Sequence, residues 1–169
     1  MPDSRRSRPV RAAVALAAVW CGLSIGSDAV TPAATDPFVG TWALDRSRSS
    51  YESDTLPERM VIAISIAGQG IHYRSEAHYA NGRVAICEYT ADYDGTLAMV
   101  FGSAGLMAPV SLQRIDAHSV AAAYVRGLRV VASARRVTSE DGRRMTITTV
   151  SHDAAQHERK NVAVFERVS

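Results

Sequence analysis

The chain has 169 residues, 47% hydrophobic and 21% charged, a balance that suits one globular domain and excludes a disordered or collagen-like chain. Its formal charge of +2 comes from residues 1–29, where Arg5, Arg6, Arg8 and Arg11 outnumber Asp3 and Asp28; the remainder holds 15 basic and 15 acidic residues. That neutral remainder offers no electrostatic footing for nucleic acid or an anionic bilayer, and neither is expected as a partner.

In chain order, the first element is a targeting segment. The four arginines precede an apolar run from Ala12 to Ile25, and small residues follow, with Ser27-Asp28-Ala29 and Pro32-Ala33-Ala34 as candidate cleavage sites. This is the layout of a secretory signal peptide. The run is shorter than the ~20 residues of a spanning helix, so no stable membrane insertion is expected after cleavage. Ser4-Arg5-Arg6 is too loose for a twin-arginine signal, and Trp20 before Cys21 argues against lipidation. The expected organisation is a signal peptide over 1–29, a linker over 30–37 and one domain over 38–169, placing the mature protein in the periplasm or outside the cell.

Everything downstream reads as strand. Val39–Asp45 leads into a polar connection, Arg46–Pro57. Arg59–Ile66 then alternates, with Met60, Ile62, Ile64 and Ile66 on one face. Turn residues punctuate the rest: Gly68 and Gly70 before Ile71–Tyr79, Asn81-Gly82 before Arg83–Asp92, and Asp94-Gly95 before Thr96–Phe101. Val110–Ile115, Ser119–Val125, Leu128–Val137, Arg143–His152 and Lys160–Val168 complete the series. Short connections between neighbours favour an all-β, antiparallel up-and-down β-barrel of about 8–10 strands, which removes exposed sheet edges by closure.

Candidate chemistry is sparse. His72, Arg74, Glu76 and His78 share one face of a strand, opposite Ile71, Tyr73, Ala77 and Tyr79. Outward, the charged set is a solvated ion-pair ladder; inward, it could supply acid/base groups. His72 and His78 stand about 20 Å apart along an extended strand, too far to share a metal ion. His152 and His157 flank a polar turn, and no metal or other cofactor is expected. No Gly-x-Ser-x-Gly, Cys–His pair or phosphate loop is present, so no catalytic residue is assigned. Cys87 is the sole thiol after the signal and reads as a buried, inert one; Arg135-Arg136 and Arg143-Arg144 read as solvated strand ends flanking one turn.

A binding role rests on composition. Ala121, Ala122, Ala123, Ala132, Ser133 and Ala134 on successive strands leave room in a barrel if they face inward. Met99, Phe101, Leu106 and Met107 would form an apolar rim. The candidate pocket residues are Tyr73, Tyr79, Tyr89, Met99, Phe101, Met107 and Tyr124, in a protein expected to be a monomer.

Several segments together resemble a known family. Phe38-Val39-Gly40-Thr41-Trp42-Ala43-Leu44, the turn Tyr93-Asp94-Gly95, the hairpin Ser139–Thr146 and the closing Asn161-Val162-Ala163-Val164-Phe165-Glu166-Arg167 resemble the lipocalin-like (calycin) superfamily, in particular its small exported bacterial members. The resemblance spans residues 36–168. It implies that Gly40 and Trp42 on the first strand close the barrel floor, with Arg167 across the indole. It also implies a small apolar or amphipathic ligand, without a cofactor. Cytosolic fatty-acid-binding proteins hold a carboxylate with an Arg-x-Tyr pair on the last strand; Ala163 and Phe165 occupy those positions here, so that clamp is missing. The Arg46–Pro57 connection also leaves no room for their two-helix lid. Two other readings remain: a cyclase or isomerase using a Tyr or an inward Glu76 or Glu88, and a filled barrel acting through its surface.

Overall fold

A computed structural model describes residues 36–52, 55–103, 107–152 and 155–168. The expected signal peptide and the first part of the linker lie outside the described residues. The described residues belong to one compact unit. Eleven strands occur among the described residues: β1 (Gly40–Tyr51), β2 (Arg59–Ala67), β3 (Gly70–His78), β4 (Val84–Asp92), β5 (Asp94–Ala98), β6 (Phe101–Gly102), β7 (Val110–Asp116), β8 (Ser119–Arg126), β9 (Arg129–Thr138), β10 (Arg144–His152) and β11 (Glu158–Arg167).

All eleven form one antiparallel sheet in the order β5-β7-β8-β9-β10-β11-β1-β2-β3-β4-β6. Nearly every strand pairs with its chain neighbour, and β11 pairs with β1, opposing Trp42 to Arg167. The sheet curls so that its far sides are one piece of chain: β4 runs through Tyr93 into β5, which pairs with β7. The Arg114 N–H donates to the Tyr93 carbonyl across that junction. The expected all-β, antiparallel up-and-down barrel is the observed architecture.

Alternation decides what fills it. Ile62 and Ile64 of β2, Ile71 and Tyr73 of β3, Tyr89 and Ala91 of β4, Leu112 of β7, Val120 and Ala122 of β8, Met145 of β10 and Phe165 of β11 are buried together. Each large apolar side chain among them contributes about 1.5–3 kcal/mol relative to exposure. The opposite face of β3 carries the His72, Arg74, Glu76 and His78 ladder, where Arg74 Nη1 meets Glu88 Oε2 at 2.9 Å and His78 Nε2 meets Glu76 Oε1 at 2.8 Å. Its outward reading is the observed one.

Trp42 and Arg167 meet where β1 pairs with β11, at the end expected to be the barrel floor. Trp42 is fully buried, its Nε1 donating to the Phe38 carbonyl at 2.9 Å. Arg167 lies over the indole with Cζ 4.1 Å from the ring centroid. Gly40 has φ of 139°, a conformation that side chains disfavour, and leads the chain into β1.

Three expectations are corrected. The polar stretch after Asp45 is not a loop: β1 continues to Tyr51, resuming its pairing with β11 after a register shift, with Ser50 opposite Val162. Ser49 helps by donating its Oγ to the Asp45 carbonyl and accepting the Val164 N–H. Asp94-Gly95 is not a hairpin turn, because the chain continues into β5 rather than folding back on β4; only the two-residue β6 returns to pair with Cys87 and Glu88. Finally, Asp36 and Pro37 are built into the floor. Tyr93 and Arg114 both donate to the Asp36 carboxylate, and Arg167 Nη2 donates to the Pro37 carbonyl at 2.6 Å.

Candidate functional site

The end of the barrel away from Trp42 contains a cavity of about 170 Å³, lined among others by Tyr51, Met60, Tyr73, Tyr79, Cys87 and Tyr124. It exists because Ser75 and Ala77 of β3 and Ala85 of β4 present small side chains to it. Strand pairing sets Ser75 opposite Cys87 and Ala77 opposite Ala85, so two adjacent strands are thin at the same level. The result is a mostly apolar chamber with phenols at intervals around it, the pattern common to small-molecule sites.

Below the chamber lies a polar centre. Arg136 of β9 is 2% exposed. Its Nη2 donates to the Tyr89 hydroxyl, and its charge acts on the Tyr124 phenol as well. Its Cζ is 4.7 Å from the Tyr73 ring centroid and 5.7 Å from that of Tyr89. Those two rings stack, centroids 4.8 Å apart and planes 13° from parallel. The stack places two electron-rich faces near one cation, a favourable arrangement where water is excluded. The Arg136 Nε is buried with no hydrogen-bond partner. No ion pair to Arg136 is found among the described residues.

Burial raises the pKa of Tyr73, Tyr89 and Tyr124, while the Arg136 charge pulls each the other way. All three are therefore neutral phenols at physiological pH. Burial likewise pushes the Cys87 thiol up against the same opposing charge, so Cys87 is a poor nucleophile. The only buried polar or charged side chains among the described residues are Ser75, Ser119, Arg136 and Thr138. Glu76 and Glu88 face outward in the β3–β4 ladder. The inward glutamate that would favour an enzyme is not observed.

The structure divides the sequence-derived pocket residues. Tyr73, Tyr79 and Tyr124 meet at the chamber, and Tyr89 stands beneath it on Arg136. Met99, Phe101 and Met107 are apart from these: they are 62%, 65% and 39% exposed. Met99 and Val100 lie in the connection between β5 and β6, and there Val100 is the side chain that turns in. Leu106 lies outside the described residues. Of the small residues, Ala122, Ala132 and Ala134 are buried, whereas Ala121, Ala123 and Ser133 fall on the opposite phase of their strands. The chamber's space comes from β3 and β4 instead.

Arg136 was missed, and its reading as a solvated strand end is corrected. Arg135 is the exposed member of the pair. The signal was parity: Ala132, Ala134, Arg136 and Thr138 occupy one face of β9, and all four are buried.

The chain matches no protein-family model and no curated protein. Among solved structures it is similar to zebrafish ileal bile acid-binding protein complexed with cholic acid, at a TM-score of 0.46 and 12% identity over 78% of this chain and 99% of that one.

Proposed function

We propose that this is an exported lipocalin-like protein of the cell envelope that holds a small hydrophobic or amphipathic molecule inside its barrel. The observation that carries the reading is the chamber of about 170 Å³ bounded by Tyr51, Tyr73, Tyr79 and Tyr124. A known dry cavity of ~150 Å³ takes up benzene, so this volume suits one ring or a short alkyl body. Export is supported by the arginines before the Ala12–Ile25 apolar run. Binding is favoured over catalysis because Glu76 and Glu88 face outward, away from the chamber, and the Cys87 thiol is held protonated.

The test is native mass spectrometry of the protein purified from its host's envelope fraction. A retained small molecule, absent from Met60→Trp protein in which an indole fills the chamber, is the expected result. The same spectrum reads the mature N-terminus, expected to lie beyond residue 29 and before Asp36. A clean apo mass, together with no thermal shift across a panel of lipids and metabolites, overturns the reading.

A further inference from the structure

Arg136 is a permanent cation in the interior, since a guanidinium does not lose its proton at any pH a protein survives. Buried cations are ordinarily matched by a carboxylate, because an unmatched charge away from water is costly. Among the described residues none matches this one. Its surroundings are the faces of Tyr73 and Tyr89 and the neutral Tyr89 hydroxyl. Those soften the cost but bring no negative charge, and they leave the Nε donor unsatisfied. The site is one anion short.

That deficit adjoins the chamber. Tyr73 lines the cavity and presents its ring to the guanidinium, and Tyr124 shares that lining. The partition between chamber and cation is therefore one side chain thick. The geometry points to a small organic anion as the molecule the chamber takes, its charged group directed to Arg136 and Tyr124 and its single ring or short chain held among Tyr51, Met60 and Tyr79. A carboxylate is the simplest case, because its two oxygens can take the idle Nε–H and a phenol O–H together. This rests on the binding reading above and sets the ligand's class.

Two features of the protein fit this occupant. The cavity of about 170 Å³ suits an acid with a compact body. The neutral phenols donate to an anion without repelling it, as an interior carboxylate would.

Isothermal titration calorimetry of the mature protein with three probes of one shape tests the inference: 3-phenylpropionate, 3-phenylpropan-1-ol and 3-phenylpropylamine. The acid is expected to bind about 10- to 100-fold more tightly than the alcohol, the range of a charge-assisted hydrogen bond, and the amine least. Arg136→Gln should erase the preference for acid over alcohol, and Arg136→Lys should keep part of it. Circular dichroism establishes that each variant is folded; if neither is, the acid-to-alcohol ratio of the unaltered protein decides the matter. Equal binding of acid and alcohol overturns the anion while leaving a hydrophobic chamber intact. An acid preference that survives unchanged in folded Arg136→Gln also overturns it. Absence of binding by all three overturns it too, and the retained-molecule experiment then decides separately whether the chamber binds anything.

Discussion

Arg167 meets Trp42 face-on and directs its other donors at three backbone carbonyls, those of Gly142, Val39 and Pro37. One side chain thus ties the last strand to the β9–β10 turn and to the segment that enters β1. Arg167→Met keeps an aliphatic cover on the indole but removes the cation and leaves three carbonyls to find other partners. The expected loss is about 2–4 kcal/mol, combining a cation–π contact of about 0.5–2 with hydrogen bonds from a charged donor of about 1.5–3. Arg167→Lys should recover part of this, since an ammonium covers the ring but cannot reach all three carbonyls. Urea unfolding decides: a Met variant within ~0.5 kcal/mol of the parent would mean that β11 pairing alone holds the floor. This pair was legible in the sequence because Trp42 and Arg167 lie in recognisable opening and closing segments. Arg136 was not. Side by side with Arg135 near a turn, it looks solvated, and only the phase of β9 against Val120 and Ile147 turns it inward.

Pairing partners, more than propensity, decide the elements here. The alternating strands β2, β3, β8 and β9 were readable because one face of each is buried and a one-residue slip would expose it. β1 runs past its apolar stretch because β11 supplies partners to Tyr51, a long-range cause that the polar residues 46–50 do not announce. Asp94-Gly95 has turn chemistry yet opens β5. The Tyr93 hydroxyl donates to Asp36 at 2.8 Å, and Arg114 covers its ring at 3.9 Å, so the chain is fixed toward β7. Glycines separate two kinds of constraint at this scale. At Gly70, opening β3 opposite Asp92, an added Cβ would stand 2.0 Å from the Ala91 carbonyl oxygen and 2.5 Å from the Asp92 Cα. Those neighbours are backbone and cannot rotate away. At Gly82, in the β3–β4 turn, the space is open and only the φ of 79° resists a side chain. Gly70→Ala is therefore expected to lose about 1–3 kcal/mol or more through overpacking, and Gly82→Ala about 1–2 kcal/mol through backbone strain. Asn in place of Gly should be tolerated at 82 better than Ala, and should fare worse than Ala at 70. The reverse ranking, read from denaturant midpoints, would show that the β2–β3 turn yields where the β3–β4 turn does not.

For the whole molecule, stability must come from the core, since Cys87 is a free thiol and the one cysteine among the described residues. That core is unusually phenolic. Burial raises the pKa of Tyr73, Tyr89 and Tyr124, and of Tyr93 with the Asp36 carboxylate adding to the shift. A folded-state pKa above the unfolded value of 10.0 gives stability that is fully present below pH 10 and is lost as pH rises toward the folded value. Four such groups act in the same direction, so the loss compounds over a narrow interval. The acid side is different in kind. Hydrogen bonds from Ser47 to Asp45, from Thr96 to Asp94 and from Ser139 to Asp141 lower those carboxyl pKa values, as His78 does for Glu76. Their contribution is present above the unfolded values and fades as pH falls through the folded ones, but all four carboxyls are at the surface, Asp94 and Asp141 exposed and Asp45 and Glu76 half-buried, and the effect is shallow. Thermal midpoints should therefore hold level from neutral pH to near pH 10, fall steeply beyond it, and sag gently below about pH 4. Phenolate absorbance supplies the decisive trace. At least four of the six tyrosines should ionise only as the near-ultraviolet circular dichroism collapses. Ionisation of all six near pH 10 with that dichroism intact would mean that water reaches the interior phenols, and that the Arg136 centre is solvated rather than waiting for an anion.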